Sequence, residues 1–281
     1  MLLINNEVVA QILNIKGCME ALETGYRDLI DERAAYRGRY DFFVPNDAPK
    51  LMYRWGTMEG ASRSFETFAI RMKSDMLEWP EGKTVEKYCI QPGTFCGVVM
   101  VFSTRNGEPL AIINDGIIQH MRVGGCAGLG AKFLSREDSN IIGILGSGGM
   151  ARTYLLAFNE VRKIREVKVF SPTRKNREIY AAEMGEKLGV KIVPQDRVED
   201  VVRGSDIVAT CTDSIQVVVH AVRVPNQMVP HPHGIKSELL AHFRAVDDPC
   251  GRAFFAEMGQ QDTELYFRHI THRNLVAISI H

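Results

Sequence analysis

The chain has 281 residues, which is enough for one large domain or two domains of ordinary size. With 45% apolar and 24% charged residues, it can bury a substantial core. Because 34 basic side chains balance 34 acidic ones, the chain has no net positive field to recruit nucleic acid or an anionic membrane.

Membrane insertion and a disulfide framework are not indicated either. No apolar run approaches the length of a spanning helix, and the N-terminus lacks the layout of a signal peptide. The six cysteines are scattered without a C-x-x-C pair, which favours reduced thiols. We therefore expect a cytoplasmic protein with no metal site and with neither nucleic-acid nor membrane partners.

The N-terminal part is predicted to be a helix followed by an antiparallel sheet. Apolar side chains recur at helical spacing over residues 6–36. From about residue 50 to 113, short β-type runs are bounded by Gly, Pro, Asn and Asp. Between the last two runs, Asn106-Gly107 predicts a type I′ hairpin turn, because both residues tolerate positive φ.

The remainder of the chain changes to a strand–helix rhythm. Residues 116–134 form a predicted helix rich in Gly and Ala, whose small side chains allow close packing, and we expect it to link two halves of the molecule. Apolar strands then alternate with helices, which is typical of a parallel sheet covered on both faces. Beyond residue 215 the pattern predicts a loop and then helices near 236–244 and within 257–273.

One turn in this second half has the pattern of a dinucleotide site. The stretch "NIIGILGSGGMARTYLLAF" contains G-x-G-x-x-A after a strand and at the start of a helix. In this pattern the first glycine permits the tight turn, the second lets the backbone approach a pyrophosphate, and the helix N-terminus presents free N–H groups. The predicted cofactor-binding residues of the turn are Gly146, Ser147, Gly148, Gly149 and Met150. A tight turn in another kind of α/β sheet is the alternative.

The next strand indicates which nucleotide is preferred. It lacks the terminal acidic residue that holds a ribose 2′-hydroxyl in NAD sites. It is followed instead by small hydroxyls and cations, namely Ser171, Thr173, Arg174, Lys175 and Arg177. This set favours NADP(H) over NAD(H), because guanidinium groups suit a 2′-phosphate; a solvated basic helix start is the alternative. Thr210 and Thr212, after a later strand, are expected to border the nicotinamide.

Three segments in order resemble the ornithine cyclodeaminase/mu-crystallin family: "GEPLAIINDG" at 107–116, "HMRVGGCAGLGAKFL" at 120–134 and "GILGSGGMA" at 143–151. The strand containing "RMKSDM" fits as well, and the likeness covers about residues 1–214. The resemblance implies an α/β fold, with a Rossmann-type doubly wound parallel sheet at 119–261. It also implies an α+β substrate-binding domain at 1–118, with a C-terminal return at about 262–281. A homodimer through this N-terminal domain is implied too.

The resemblance further implies NAD(P)-linked chemistry at the C–N bond of an α-amino or α-imino acid. Arg54 and Arg122 match positions that meet the substrate carboxylate, the second also near the cofactor, and a planar guanidinium can grip both oxygens. Lys73 matches the catalytic lysine and could protonate an imine nitrogen. Strand alternation places Lys73 on one face with Arg71. Thr94 matches a threonine that touches the cofactor. Surface ion pairs or an exposed strand lysine are the alternatives.

Departures from the family pattern keep the reaction open. The family's threonine after the helical arginine is Val123 here, and the family's aspartate beside the nicotinamide falls in "VPHPHGIKSEL". His231 or His233 could act as the acid or base in its place. Substrate selectivity is expected in two loops, at 39–50 and 225–238.

Three functions therefore compete. The first is an NAD(P)H-dependent reductase of cyclic imines or α-imino acids. The second is an ornithine cyclodeaminase-type ammonia lyase with catalytic NAD. The third is a mu-crystallin-like protein that binds NADPH and a ligand without turnover. Net consumption of NAD(P)H separates the first from the other two.

Overall fold

The computed structural model of the chain describes residues 1–47, 51–78, 85–87, 97–212, 254–258, 265–270 and 275–279. Two units are distinguished. Among the described residues before 213, the first unit comprises residues 1–122 and the second begins at Val123. The division therefore falls at residue 122 rather than at the predicted 118.

The described part of the first unit contains two complete helices, the start of a third and a seven-stranded sheet. In chain order its elements are β1 (Leu2–Ile4), α1 (Asn6–Ile12), α2 (Ile15–Ile30), β2 (Ala34–Pro45), β3 (Leu51–Ser62), β4 (Thr67–Glu78), β5 (Val85–Lys87), β6 (Gly97–Ser103) and β7 (Pro109–Asn114). The strand order is β1-β7-β6-β4-β3-β2, with β5 paired to β4. All pairs are antiparallel except β1 with β7, which confirms the predicted antiparallel sheet.

The predicted single helix over residues 6–36 is wrong in its bounds. Asn14 has extended backbone angles, and its side chain accepts a hydrogen bond from the Gly17 N–H at 2.8 Å. Asparagine is a strong N-cap, so it begins a new helix, α2, in the middle of the periodic stretch. Residues from Ala34 onward are already strand β2, and this strand also takes in Tyr40–Pro45, which we expected to be loop.

The hairpin between β6 and β7 forms, but its turn differs from the prediction. Gly107 has φ +76°, whereas Asn106 is not among the residues with positive φ. A type I′ turn needs positive φ at both central residues. The Ser103 N–H donates to the Glu108 carbonyl, and the Gly107 N–H donates to that of Ser103. This pattern belongs to a longer hairpin loop that closes on a left-handed glycine.

The second unit is a parallel sheet with helices. Its elements are α3 (Gly116–Leu134, which begins in the first unit), β8 (Ile141–Leu145), α4 (Gly149–Val161), β9 (Glu166–Phe170), α5 (Arg174–Leu188), β10 (Lys191–Pro194), α6 (Val198–Val202), β11 (Ile207–Thr210), β12 (Phe254–Met258), β13 (Leu265–Ile270) and β14 (Leu275–Ser279). The sheet order is β10-β9-β8-β11-β14-β12-β13. Strands β10, β9, β8, β11 and β14 run parallel.

Helices cover both faces of this sheet. On one face, side chains of β8, β9 and β11 pack with α3, α4 and α5 in a cluster that contains the fully buried Tyr154, Phe158 and Tyr180. On the other face, Leu145 and Val208 pack against Val201 and Val202 of α6. The predicted Rossmann-type doubly wound sheet is therefore confirmed.

The predicted return of residues 262–281 to the first domain is not what the structure shows. The described backbone in this range, β13 and β14, belongs to the second sheet, where β14 pairs with β11 in parallel. The predicted helix within 257–273 is also corrected, because Leu265–Ile270 is a strand. Pairing with β12 and β14 determines its conformation, and such contacts are not visible in local spacing. The predicted helix near 236–244 lies outside the described residues.

Helix α3 uses its small residues for close packing, as predicted. A Cβ at Gly124 would lie 2.6 Å from the Thr153 carbonyl carbon, so α3 approaches α4 more closely than any side chain would permit. Among the described residues, no helix combines the length and the apolar character needed to cross a membrane.

Arg162 forms hydrogen bonds with the C-terminal end of α3. Its guanidinium donates to the carbonyls of Ala131, Lys132 and Ser135 at 2.8–3.0 Å and to that of Arg136 at 2.8 Å. The last carbonyls of a helix have no partner within the helix, so one arginine here satisfies several of them at once.

We expect Arg162→Ala to lower the free energy of unfolding by about 2–3 kcal/mol, because several charge-assisted hydrogen bonds to mostly part-buried carbonyls are lost. Urea denaturation followed by circular dichroism measures this difference. Lys163→Ala, at the exposed neighbouring position, is the control and should change it by less than about 0.5 kcal/mol. Equal free energies of unfolding for the two variants would contradict the stabilising role of Arg162 at the end of α3.

Candidate functional site

The glycine turn of the second unit begins at Gly146, directly after β8. Gly146 has φ +117°, and a Cβ there would collide with the carbonyl group of Cys211. Its N–H donates to the Phe170 carbonyl at 2.7 Å, which fixes the turn between two strand ends. The position therefore requires glycine for the backbone itself.

The helix that follows presents an open N-terminus. Gly148 is the N-cap of α4 and makes no side-chain capping bond, and the first turn of the helix carries no acidic residue. A Cβ at Gly148 would meet no neighbouring atom of the described residues within 4 Å, so the described part of the chain leaves space in front of the turn. Ala151, fully buried, lets the helix pack on the sheet. Free amides facing open space fit the diphosphate of a dinucleotide.

Arg152 holds the glycine turn from within the helix, a role that the sequence analysis missed. Its guanidinium donates to the carbonyls of Ser147 at 2.8 Å and Gly148 at 3.1 Å, and it also pairs with Glu183 at 2.6 Å. A cation in the first turn of a helix is unfavourable unless it is neutralised. An arginine directly after the motif, with an acidic residue on the next helix, is the signal that could have revealed this interaction.

At the start of α5, the helix that follows β9, the two predicted arginines have different surroundings. Arg177 is buried, donates to the Ser171 carbonyl at 2.9 Å, and pairs with Asp196. Arg174 is exposed and pairs with Glu178 at 2.7 Å. The Arg177 guanidinium thus has partners within the chain, and the predicted contacts of both arginines with a nucleotide stay predictions. The Ser171 hydroxyl lies 3.0 Å from that of Ser147.

The end of β11 lies beside the glycine turn. Thr210 is paired with Leu145, and the Cys211 N–H donates to the Leu145 carbonyl at 2.7 Å. The Thr210 hydroxyl is buried and makes no hydrogen bond within the described part of the chain. Burial raises the pKa of the Cys211 thiol, so this group is neutral. Thr212 is half-buried at the end of the same segment.

In the first unit, β3 and β4 bring Arg54, Lys73 and Asp75 together. Arg54 and Asp75 are opposite each other in the antiparallel register, and Lys73 lies two residues from Asp75 on the same face. The Arg54 guanidinium grips the Asp75 carboxylate through Nε at 2.8 Å and Nη2 at 2.6 Å. Lys73 Nζ lies 3.1 Å from the same Oδ2. The three residues are only 1%, 5% and 2% exposed, respectively.

Asp75 was not predicted as a site residue. Although burial raises the pKa of its carboxyl, the hydrogen bond from Arg54 and the charge of Lys73 outweigh burial, and the pKa lies below its usual value. Asp75 is therefore ionised at neutral pH. The signal was present in "RMKSDM", because alternation places residues 71, 73 and 75 on one face; the pairing with Arg54 needs the sheet register.

A second charged group lies further along this face. Arg71 donates to the Asp115 carboxylate at 2.5 Å and to the Gln119 side chain. Its position on the face of Lys73 confirms the predicted alternation. Asp115 is fully buried just before α3. Burial lowers the pKa of the nearby His120, while the charge of Asp115 opposes this shift.

Among the remaining predicted site residues, Arg122 is half-buried on α3. Thr94, His231 and His233 lie outside the described residues. Within the described ranges, no group of three or more His, Cys, Asp or Glu side chains is arranged to hold a metal ion. Chemically, the first unit offers a buried ammonium and guanidinium beside a carboxylate, and the second offers a glycine turn at the N-terminus of a helix.

The chain is similar in sequence to curated proteins that are named as reductases. The chain is 28% identical over 135 residues to a Δ(1)-pyrroline-2-carboxylate reductase of Bacillus cereus, covering 48% of this chain and 40% of the relative. It is 29% identical over 114 residues to the ketimine reductase mu-crystallin of Rattus norvegicus, covering 41% and 35%. The matches thus span about two-fifths of the length of these curated relatives.

A solved structure also matches. It is the Δ(1)-pyrroline-2-carboxylate reductase of Thermococcus litoralis in complex with NADH and L-proline, with a TM-score of 0.62 and 26% identity over 75% of this chain and 61% of that one. The sequence model of the ornithine cyclodeaminase/mu-crystallin family matches residues 87–230, which is more than half of the chain. The chain therefore belongs to the ornithine cyclodeaminase/mu-crystallin family.

Proposed function

We propose that the protein is an NAD(P)H-dependent oxidoreductase that reduces the C=N bond of a small cyclic imine or α-imino acid. The observation that carries the proposal is the buried Lys73 side chain, which lies beside Asp75 and Arg54 in the first unit. The three relatives reported above are named as reductases, and one of them is seen with NADH and L-proline.

Each side chain has a defined task in this reaction. Arg54 and Arg122 are the proposed partners of the substrate carboxylate, since a planar guanidinium matches its two oxygens. Lys73 is the proposed proton donor to the imine nitrogen, because a neighbouring carboxylate favours its charged form. Burial excludes water, which strengthens these interactions.

The nucleotide is assigned to the second unit. The turn Gly146–Met150 is proposed to hold the diphosphate, and Thr210 and Thr212 are proposed to lie beside the nicotinamide, with Thr94 as a further contact. The Thr210 hydroxyl has no hydrogen-bond partner within the described ranges, and this supports the arrangement. When bound, the cofactor supplies the hydride for reduction.

Turnover with a panel of substrates tests this function. The protein is incubated with NADPH or NADH and with cyclic imino acids or keto acids plus ammonia, and in parallel with NAD⁺ or NADP⁺ and with ornithine, lysine or proline, while absorbance and ammonia release are followed. The proposal predicts stoichiometric oxidation of the reduced nucleotide by an imino acid. Ammonia release without net oxidation would indicate a lyase instead, and tight nucleotide binding without any turnover would indicate a binding protein.

We further propose a preference for NADP(H), through Arg174. Arg174 is exposed and makes a surface ion pair with Glu178, whereas the buried Arg177 donates to the Ser171 carbonyl and pairs with Asp196. Arg174→Ala should weaken NADPH binding about tenfold, the loss of one charge-assisted contact, and change NADH binding less than twofold. Fluorescence titration measures both. Lys187→Ala, an exposed cation at the other end of α5, is the control; equal effects on both nucleotides would contradict the preference.

We also propose a homodimer through the first unit. In the described sheet β2 is an edge strand, and it exposes Tyr40, Phe42 and Val44 on one face. A long edge strand with exposed aromatic side chains is usually covered by another chain. Phe42→Asp should convert a dimer to a monomer in light scattering, whereas Ile179→Asp, equally exposed on α5, should not. A wild-type monomer would overturn the proposal.

A further inference from the structure

The carboxyl ends of β9 and β10 lie side by side in the second unit. The two strands pair in parallel, with Val169 opposite Pro194, and the Gln195 N–H donates to the Val169 carbonyl at 2.8 Å. Asp196 therefore follows β10 beside the end of β9. In a doubly wound sheet, the adenosine ribose of a dinucleotide binds at the end of the strand that follows the glycine turn and its helix, which here is β9. Asp196 thus lies next to the expected 2′-position of the nucleotide.

One carboxylate and two guanidinium groups lie close together here. The buried Arg177 donates through Nη1 to the Ser171 carbonyl at 2.9 Å and through Nη2 to the Asp196 carboxylate. The Asp196 side chain itself is 86% exposed. The pKa of Arg174 is raised, first by the hydrogen bond and charge of Glu178 and then by the charge of Asp196. The charge of Asp196 therefore acts on both arginines at the start of α5.

These charges have opposite effects on a 2′-phosphate. The exposed Arg174 attracts it, as proposed above. Asp196 repels it and also occupies Nη2 of Arg177, a donor that a phosphate oxygen could otherwise use. NADH has a neutral 2′-hydroxyl at this position, so the charge of Asp196 affects its binding little.

We infer that Asp196 is a specificity-determining residue of the nucleotide site: it repels a 2′-phosphate and occupies the Arg177 guanidinium, and it thereby limits the preference for NADP(H) that Arg174 provides. The inference rests on the proposed nucleotide site of the second unit and concerns the selectivity of that same site. The protein then accepts NADH as well as NADPH. Removing this one charge widens the difference between the two nucleotides.

Fluorescence titration with NADPH and with NADH tests the inference on Asp196→Asn, which keeps an oxygen acceptor for Arg177 and removes the charge. At low salt the variant should bind NADPH about fivefold more tightly, the effect of one unit charge in water, and change NADH binding by less than about twofold. At about 0.5 M salt the gain should fall below about twofold, because salt screens exposed charges. An unchanged ratio of the two dissociation constants, or a gain that does not respond to salt, would overturn the inference.

Glu186→Gln is the matched control. It removes the same charge from an exposed position near the other end of α5 from Arg174, and it should leave the ratio of the two constants unchanged. Equal changes in Glu186→Gln and Asp196→Asn would show an effect of net charge alone and would overturn the inference. Asp196→Ser is also neutral and carries the same prediction, so the test remains decisive if Asp196→Asn does not fold.

Failure of the proposed function has a different signature. If the wild type binds neither nucleotide, the function and the inference both fall. If nucleotides bind but no imino acid is reduced, the function falls and the ratio of the two constants still decides the inference. If imino acids are reduced while the ratio does not respond to Asp196, only the inference falls.

Discussion

Replacing Lys73 by Met is expected to lower kcat/KM for imino-acid reduction by about 10²- to 10⁴-fold, the usual contribution of a positioned proton donor. The loss should fall mainly on kcat, because proton transfer occurs in the transition state. Methionine keeps the apolar stem and fills the buried position, and Asp75 keeps its bidentate partner Arg54. Nucleotide affinity should change less than twofold, since Lys73 belongs to the other unit.

Steady-state kinetics and a fluorescence titration with NADPH check this prediction together. Lys16→Met, which removes an exposed lysine of α2, is the control and should behave as the wild type. A Lys73→Met protein with wild-type kcat would refute the role of the ammonium group. Parallel losses of activity and nucleotide affinity would point to misfolding instead.

The two glycines of the turn should respond differently to substitution by alanine. At Gly148 the added methyl group meets nothing within 4 Å, so Gly148→Ala should fold normally. It should nevertheless weaken nucleotide binding by about tenfold or more, because the methyl group enters the space proposed for the diphosphate. At Gly146 the φ of +117° and the Cys211 carbonyl both oppose a side chain, so Gly146→Ala should lose stability by about 2 kcal/mol or more.

Thermal unfolding and NADPH titration separate these effects. Gly25→Ala is the control, because Gly25 lies in helix α2 with no atom within 4 Å of an added Cβ. It should leave nucleotide binding unchanged and increase stability slightly. Wild-type nucleotide affinity in Gly148→Ala would show that no ligand approaches the turn there.

Local patterns were sufficient to predict the strand, the turn and the helix around Gly146. The strand, glycine turn and helix around Gly146 form one continuous segment, and the constraints on each residue come from its neighbours in sequence. The same holds for the small residues of α3, whose spacing predicted the close approach seen at Gly124. The N-cap at Asn14 was equally local and could have been recognised.

The charged cluster could be predicted only in part. Lys73 and Arg54 followed from the resemblance, but Asp75 acquires its role by pairing with Arg54, 21 residues away. That pairing depends on the register of β3 and β4, which one sequence does not reveal. The strand Leu265–Ile270 was missed for a related reason, since its partners are β12 and β14. Interactions distant in sequence thus account for these two misses.

A crystal structure of the protein with NADPH tests the central claim most directly. We predict that the diphosphate will accept hydrogen bonds from backbone N–H groups at the start of α4, next to Gly148, with Arg174 near the 2′-phosphate. Nucleotide bound elsewhere, or an α4 N-terminus without nucleotide at saturating NADPH, would contradict the account.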